Sequence, residues 1–175
     1  MKKVLVLLLI IVFCSCSSNV DLAIDNPTNE AVLVSVDSLL VEVPARQVVW
    51  VEMGKGEHQI KLENDSVIKY NFTQDVYMIN PTLTRYLMYE EFYGNQMYQN
   101  MHRSSIPTKT VNYLGMEIEG NYDIVEDVIN TVRWDYGPRE TLPETVMIED
   151  GDMYTTLIKL TDPIELYESI PADGE

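Results

Sequence analysis

Cysteine, histidine and basic charge are all scarce in this chain of 175 residues. The two cysteines, Cys14 and Cys16, both fall within the first 16 positions. The rest of the chain can form no disulfide and no thiolate zinc site, so it must hold together by core packing. Two histidines, His58 and His102, leave few ways to build a nucleophile and base pair. Twelve Lys and Arg stand against 28 Asp and Glu, a net charge of −16. Such a surface repels nucleic acid, and nucleic-acid binding is excluded. No apolar run reaches the ~20 residues that a membrane-spanning helix needs. There is no internal repeat and no low-complexity tract, and the apolar and tyrosine content is too high for a disordered chain.

The N-terminus carries the most specific pattern. Lys2 and Lys3 precede an unbroken apolar run from Val4 to Phe13, followed by Cys14-Ser15-Cys16-Ser17-Ser18. A positive start, a short apolar core and a small polar exit describe a secretory signal segment over residues 1–15. With a cysteine at the exit, the stretch resembles the lipobox of bacterial lipoproteins, although Phe13 stands where leucine is usual. Cys16 follows the small Ser15, whereas Cys14 follows Phe13, so Cys16 is the expected lipidation site. The resemblance implies a chain tethered through residues 16–19, its membrane partner reached through lipid on Cys16. Ser17 and Ser18, with no aspartate after the cysteine, lean toward the outer membrane.

The mature body reads as mostly β, an antiparallel β-sandwich-like arrangement with a short C-terminal helix. From 20 to 79, apolar residues recur with period two between turn residues. Val20–Ile24, Ala31–Val36, Leu39–Val43, Val48–Met53, Gln59–Leu62 and Val67–Phe72 are the expected strands. Asp25-Asn26-Pro27, Asp37-Ser38, Pro44-Ala45-Arg46, Gly54-Lys55-Gly56 and Asn64-Asp65 are the expected turns. The stretches IDNPTNEAVLVSVDS, VPARQ and GKGEHQIKL resemble the small β-sandwich modules of bacterial envelope proteins known as PEGA domains. Serine replaces the glycine after Asp37, and the resemblance implies architecture, not activity.

Residues 80–170 form a second, mostly β region, either separate from the first or continuous with it. Asn80-Pro81-Thr82 suits a helix start or a turn before a strand from Thr84 to Tyr93, and the aromatic content favours the strand. Asn95 to Lys109 is polar and reads as a long loop. Asn112–Ile118 reads as a strand. Tyr122–Trp134 has apolar residues at helical spacing, but its β-branched content favours strand. Gly137-Pro138-Arg139 and Leu142-Pro143 read as loop. Val146 and Ile148 lead into Asp150-Gly151, a hairpin signal with Tyr154–Leu160 as the return strand. Asp162-Pro163 starts a helix over Ile164–Ser169, and residues 171–175 form a tail.

No catalytic constellation stands out, and no cofactor or metal is implied. His102 lies near Ser104 and Ser105, without a nucleophile elbow. Carboxylate pairs such as Glu117 with Glu119 and Glu126 with Asp127 are too common in so acidic a chain to mark a glycosidase. Tyr86, Tyr89, Tyr93, Trp134 and Tyr136 form the expected binding surface, because Tyr and Trp bury area while keeping a polar tip. Core packing is the competing role for each of them. Asp37-Ser38-Leu39 and Asp65-Ser66-Val67 resemble an O-glycosylation acceptor of the Bacteroidota envelope, which makes Ser38 and Ser66 candidate modification sites. The sequence therefore leads to a lipid-anchored envelope protein with a non-enzymatic accessory or binding role. The rivals are a glycan-binding or glycan-cleaving protein, and a subunit of a surface or secretion assembly with a defined envelope protein partner.

Overall fold

The structure is a computed structural model that describes residues 19–105, 109–149 and 151–169. The signal segment, Cys16, Asp150 and the 171–175 tail lie outside the described residues. Among the described residues the chain is mostly β, built from largely antiparallel sheets with two short helices.

Two four-stranded sheets face each other across the main core. The first has the order β12-β7-β1-β4: β12 (Ile129–Asn130), β7 (Val76–Ile79), β1 (Asn19–Asn26) and β4 (Gln47–Gly54). The second has the order β3-β2-β5-β6: β3 (Leu39–Val43), β2 (Val32–Val36), β5 (Gly56–Leu62) and β6 (Val67–Phe72). β1 and β7 run parallel, while β1 and β4 are antiparallel. A parallel pair needs a long connection, and here the connection carries β2 to β6. The period of two aims Leu22 and Ile24 of β1, Val34 and Val36 of β2, Ile60 and Leu62 of β5 and Tyr77 and Ile79 of β7 into one core. Each such fully buried side chain stabilises the fold by roughly 1.5–3 kcal/mol. Tyr70, Phe72 and Tyr77 close one end edge-to-face, with ring centroids 4.9 to 5.7 Å apart.

The first sheet is partly buried on its second face as well. Ala23, Asp25 and Met78 point away from the main core and are covered by the second region of the chain. A third sheet, β11-β8-β13, comprises β11 (Tyr122–Val125), β8 (Tyr86–Gly94) and β13 (Tyr154–Thr161). Tyr86, Val125 and Leu160 from these strands meet Met78 in a second core, with Met88, Val132 and Trp134 around it. The short strand β12 returns to the edge of the first sheet, beside β7. Residues 20–79 thus hold both sandwich sheets except for one edge strand, which comes from the second region.

Several expectations for the second region need correction. The expected loop 95–109 contains a helix, α1 (Gln96–Ser105). Asn95 caps it: its side-chain oxygen accepts from the Tyr98 N–H at 3.1 Å, and its carbonyl accepts from the Gln99 N–H at 3.0 Å. The expected strand 112–118 is a hairpin, β9 (Lys109–Tyr113) and β10 (Met116–Gly120). Leu114 and Gly115 have φ of 54° and 85°, the left-handed values that a tight two-residue hairpin turn demands. Tyr122–Trp134 is strand only at β11 and β12. Just before β12, the Val128 carbonyl accepts from the Asn80 N–H at 2.8 Å, one step further along the β12–β7 register. No strand forms over 141–149. Pro143 has no N–H to give a ladder, and its carbonyl accepts from the Tyr93 hydroxyl at 2.8 Å. The strand β13 pairs with β8 instead of with that segment. The terminal helix α2 (Pro163–Ser169) begins as expected: Asp162 Oδ1 accepts from Ile164 N–H at 2.8 Å and Glu165 N–H at 2.9 Å.

Candidate functional site

An open cleft of about 570 Å³ lies where β4, the start of β7 and the segment after β12 meet. Both tryptophans of the protein line it. β4 places Trp50 there by simple alternation. Val49, Val51 and Met53 turn into the main core, so Trp50 faces outward, 56% exposed. Its cross-strand neighbour on β1 is the small Ala23. Trp134 comes from the opposite wall and packs its body against the second core.

The polar groups of the cleft are braced by the fold. Asp75 Oδ1 accepts from Lys55 at 2.7 Å. Asp135 Oδ2 accepts from the Ile158 N–H at 2.9 Å, and the Asp135 N–H donates to the Ile158 carbonyl at 2.9 Å. Glu140 Oε2 accepts from the Gly137 N–H at 2.7 Å. Gln74, Thr131 and Arg133 complete the polar lining. Behind the cleft, a slot of about 20 Å³ is floored by Ala23, Met78 and Pro138. A space of that size admits a single water molecule.

Beneath this wall lies a buried charge network. Arg139 donates one guanidinium nitrogen to Asp25 and another to Asp162. Both carboxylates are essentially inaccessible to solvent. Asp25 also accepts from the Tyr86 hydroxyl at 2.5 Å. Burial pushes the Asp25 carboxyl up, against the Tyr86 hydrogen bond and the Arg139 charge, which hold it down. Burial and the adjacent Asp25 charge push the Tyr86 phenol far above its usual range. Lys159, 3% exposed, spends its ammonium on the Gly137 carbonyl at 2.8 Å, the Leu160 carbonyl at 2.9 Å and Glu165 at 2.7 Å. Three donors meet three acceptors, which is what a buried ammonium requires. The network joins β1, β8, β13, α2 and the 137–140 loop, and so fixes the Trp134 wall against the first sheet.

Of the five aromatics expected to form a binding surface, only Trp134 lines the cleft. Tyr86 is fully buried and belongs to the charge network, which corrects its expected surface role. Tyr89 packs edge-to-face on Tyr122 at 5.9 Å, Tyr93 holds Pro143, and Tyr136 bridges to Lys159 of β13. Trp50 carries no motif in the sequence, and its outward phase between Val49 and Val51 is the one signal there that points to it. Glu117, Glu119, Glu126 and Asp127 are exposed and away from the cleft, and Glu126 pairs with Arg85 at 2.8 Å. Ser38 and Ser66 are exposed beside hairpin turns. Asp37 and Asp65, which precede them, take left-handed φ of 51° and 64°.

His58 binds Asp37 Oδ2 through Nδ1 at 2.7 Å and the Gly54 carbonyl through Nε2 at 2.9 Å. With both nitrogens facing acceptors, the ring is a clip between β4, β5 and the β2–β3 turn. The side chains of His102, Ser104 and Ser105 lie outside the described residues. Among the described residues, no group of three His, Cys, Asp or Glu is placed to hold a metal ion. No helix among them is long and apolar enough to cross a membrane. Comparison with family models, with curated proteins and with solved structures finds no match.

Proposed function

We propose that this chain is a lipid-anchored protein of the bacterial cell envelope, at the outer membrane, that binds a ligand in the Trp50–Trp134 cleft and performs no chemistry of its own. The observation that carries the binding role is the pair of indoles in one open, braced cleft, within the 300–1,000 Å³ range of small-molecule sites. The anchor rests on Lys2-Lys3, the apolar run Val4–Phe13 and the Ser15-Cys16 junction. Two acyl chains on Cys16 would hold the body at the membrane at ~0.8 kcal/mol per buried methylene. Its acidic surface would keep it from lying down on anionic lipid.

The test compares the wild type with Cys16→Ser and Trp50→Ala in native envelopes. Wild type fractionates with membranes and leaves them only with detergent, whereas Cys16→Ser is released without it. An envelope component retained by the wild type and lost from Trp50→Ala identifies the cleft as the binding site. Wild-type and Cys16→Ser chains fractionating alike would refute the anchor.

An assembly role has one observation of its own. Among the described residues β4 pairs only with β1, so its outer edge is open to an added strand. Retention of one stoichiometric protein, unaffected by Trp50→Ala, would favour that reading over ligand binding in the cleft.

A further inference from the structure

We infer that the Trp50–Trp134 cleft takes a neutral oligosaccharide, an inference that rests on the cleft being the binding site. A sugar ring presents an apolar C–H face and a rim of hydroxyls. Indoles are suited to the first, since they offer a large flat apolar area at little entropic cost. Braced carboxylates are suited to the second. Asp135 and Glu140 each accept a backbone N–H through one oxygen and Asp75 pairs with Lys55 at the surface through one of its own, and the other oxygen of each is the acceptor a hydroxyl can use. Arg133 supplies donors, while Gln74 and Thr131 supply both donor and acceptor. Because these groups sit on braced backbone, little ordering is left to be done on binding.

Size and charge narrow the ligand further. A cleft of about 570 Å³ is much larger than one ammonium group needs, which disfavours an aromatic cage for a single cation. The rim mixes three carboxylates with Arg133, and Lys55 is already paired with Asp75. An anionic sugar would face those three carboxylates on a chain of net charge −16. A neutral chain of a few sugar units satisfies the shape, the hydrogen-bonding mixture and the charge together.

The experiment uses the full chain, expressed with its own leader and purified in detergent. It is applied to an array of neutral, amino-bearing and acidic oligosaccharides, with choline as the cationic probe. Binding is then titrated by tryptophan fluorescence for the wild type, Trp50→Ala and Trp134→Phe. Neutral oligosaccharides bind and change the emission, acidic ones do not, and Trp50→Ala weakens binding by about tenfold or more, equivalent to ~1.4 kcal/mol. The unfolding midpoint of Trp50→Ala stays near that of the wild type, because the removed ring is largely exposed. Acidic sugars or choline binding in preference to neutral sugars would overturn the inference. So would an array with no binding at all, and the envelope experiment then separates the cases. A component whose retention depends on Trp50 keeps the cleft as a site for another ligand, and the loss of that dependence removes the site itself.

Discussion

Arg139 donates to Asp25 across 114 positions of sequence. The contact ties the loop after β12 to the central strand of the first sheet, and the same guanidinium also holds Asp162 at the head of α2. Removing the arginine leaves two buried carboxylates without a counter-charge. Arg139→Ala is expected to lower unfolding free energy by ~3–5 kcal/mol. Burial already raises the Asp25 carboxyl and the guanidinium holds it down, so without Arg139 it holds its proton still more tightly when folded than when unfolded. The contribution of Asp25 is therefore lost as pH rises, and the deficit is larger at pH 8 than at pH 5. Tyr86→Phe removes one hydrogen bond to the same carboxylate and is expected to cost ~1–3 kcal/mol. Urea titrations of the three proteins at the two pH values check both. An Arg139→Ala protein as stable as the wild type would mean that the network does not hold the wall.

The His58 clip carries a pH dependence of its own. The hydrogen bond to Asp37 raises the His58 pKa above 6.5, and the same bond holds Asp37 below 3.8. The histidine contribution is complete below its unfolded value and is lost as pH rises through the raised folded value. The aspartate contribution is complete above its unfolded value and is lost as pH falls through the depressed one. Both are present between about 4 and 6.5. His58→Gln is therefore expected to lose more stability at pH 5.5 than at pH 8.5, so the gap between wild type and variant narrows as pH rises. Since both partners are partly exposed, the effect is modest. A gap that is constant or widens with pH would show that the ring is not protonated in the folded protein.

Tyr113 is the anchor of the β9–β10 hairpin. Its ring is fully buried and its hydroxyl donates to the Arg85 carbonyl at 2.6 Å. Burial pushes the phenol above its usual range, so it remains a donor at any physiological pH. The hairpin is a separate two-stranded sheet, and two strands alone are marginally stable in water. Tyr113→Ala is expected to undock it, with a cost of ~3–5 kcal/mol confined to that element. Limited proteolysis then cuts between residues 105 and 121 while near-UV signals from the tryptophans persist. Cleavage no faster than in the wild type would place the anchor elsewhere.

The two regions differ in how much of them could be read in advance. Leu22 and Ile24, Ile60 and Leu62, and Tyr70 and Phe72 sit in strands whose period of two is unbroken, and their turns carry Asp, Asn, Pro or Gly. One local rule decides each of those positions. In the second region local rules compete. Helix α1 is polar and ends on two serines, so only the Asn95 cap announces it. The turn at Leu114 uses a residue that disfavours left-handed φ, so no turn signal precedes Gly115. Tyr86 and Tyr89 lie on opposite faces of β8, and what makes the Tyr86 face the inner one is Asp25 and Met78, far away in the chain. The cleft follows the same division. Trp50 is legible from its phase in β4, but its meeting with Trp134 depends on how the second region folds back over β1.

That folding back bears on whether residues 20–79 form a unit of their own. A fragment ending at Asn80 keeps both sandwich sheets but loses β12, and it uncovers Ala23, Asp25 and Met78, all essentially buried in the whole chain. Asp25 would also lose Arg139 and Tyr86, and sheet edge and apolar face would be exposed together. The 16–80 fragment is therefore expected to aggregate or to lack a cooperative transition, although its own core is continuous. Circular dichroism through a urea titration, with the full chain as reference, checks this. A sharp transition in the fragment would make the sandwich an autonomous domain and the second region a covering layer. In that case Arg139→Ala would weaken the cover and leave the sandwich intact, and the cleft could open without unfolding the protein that carries it.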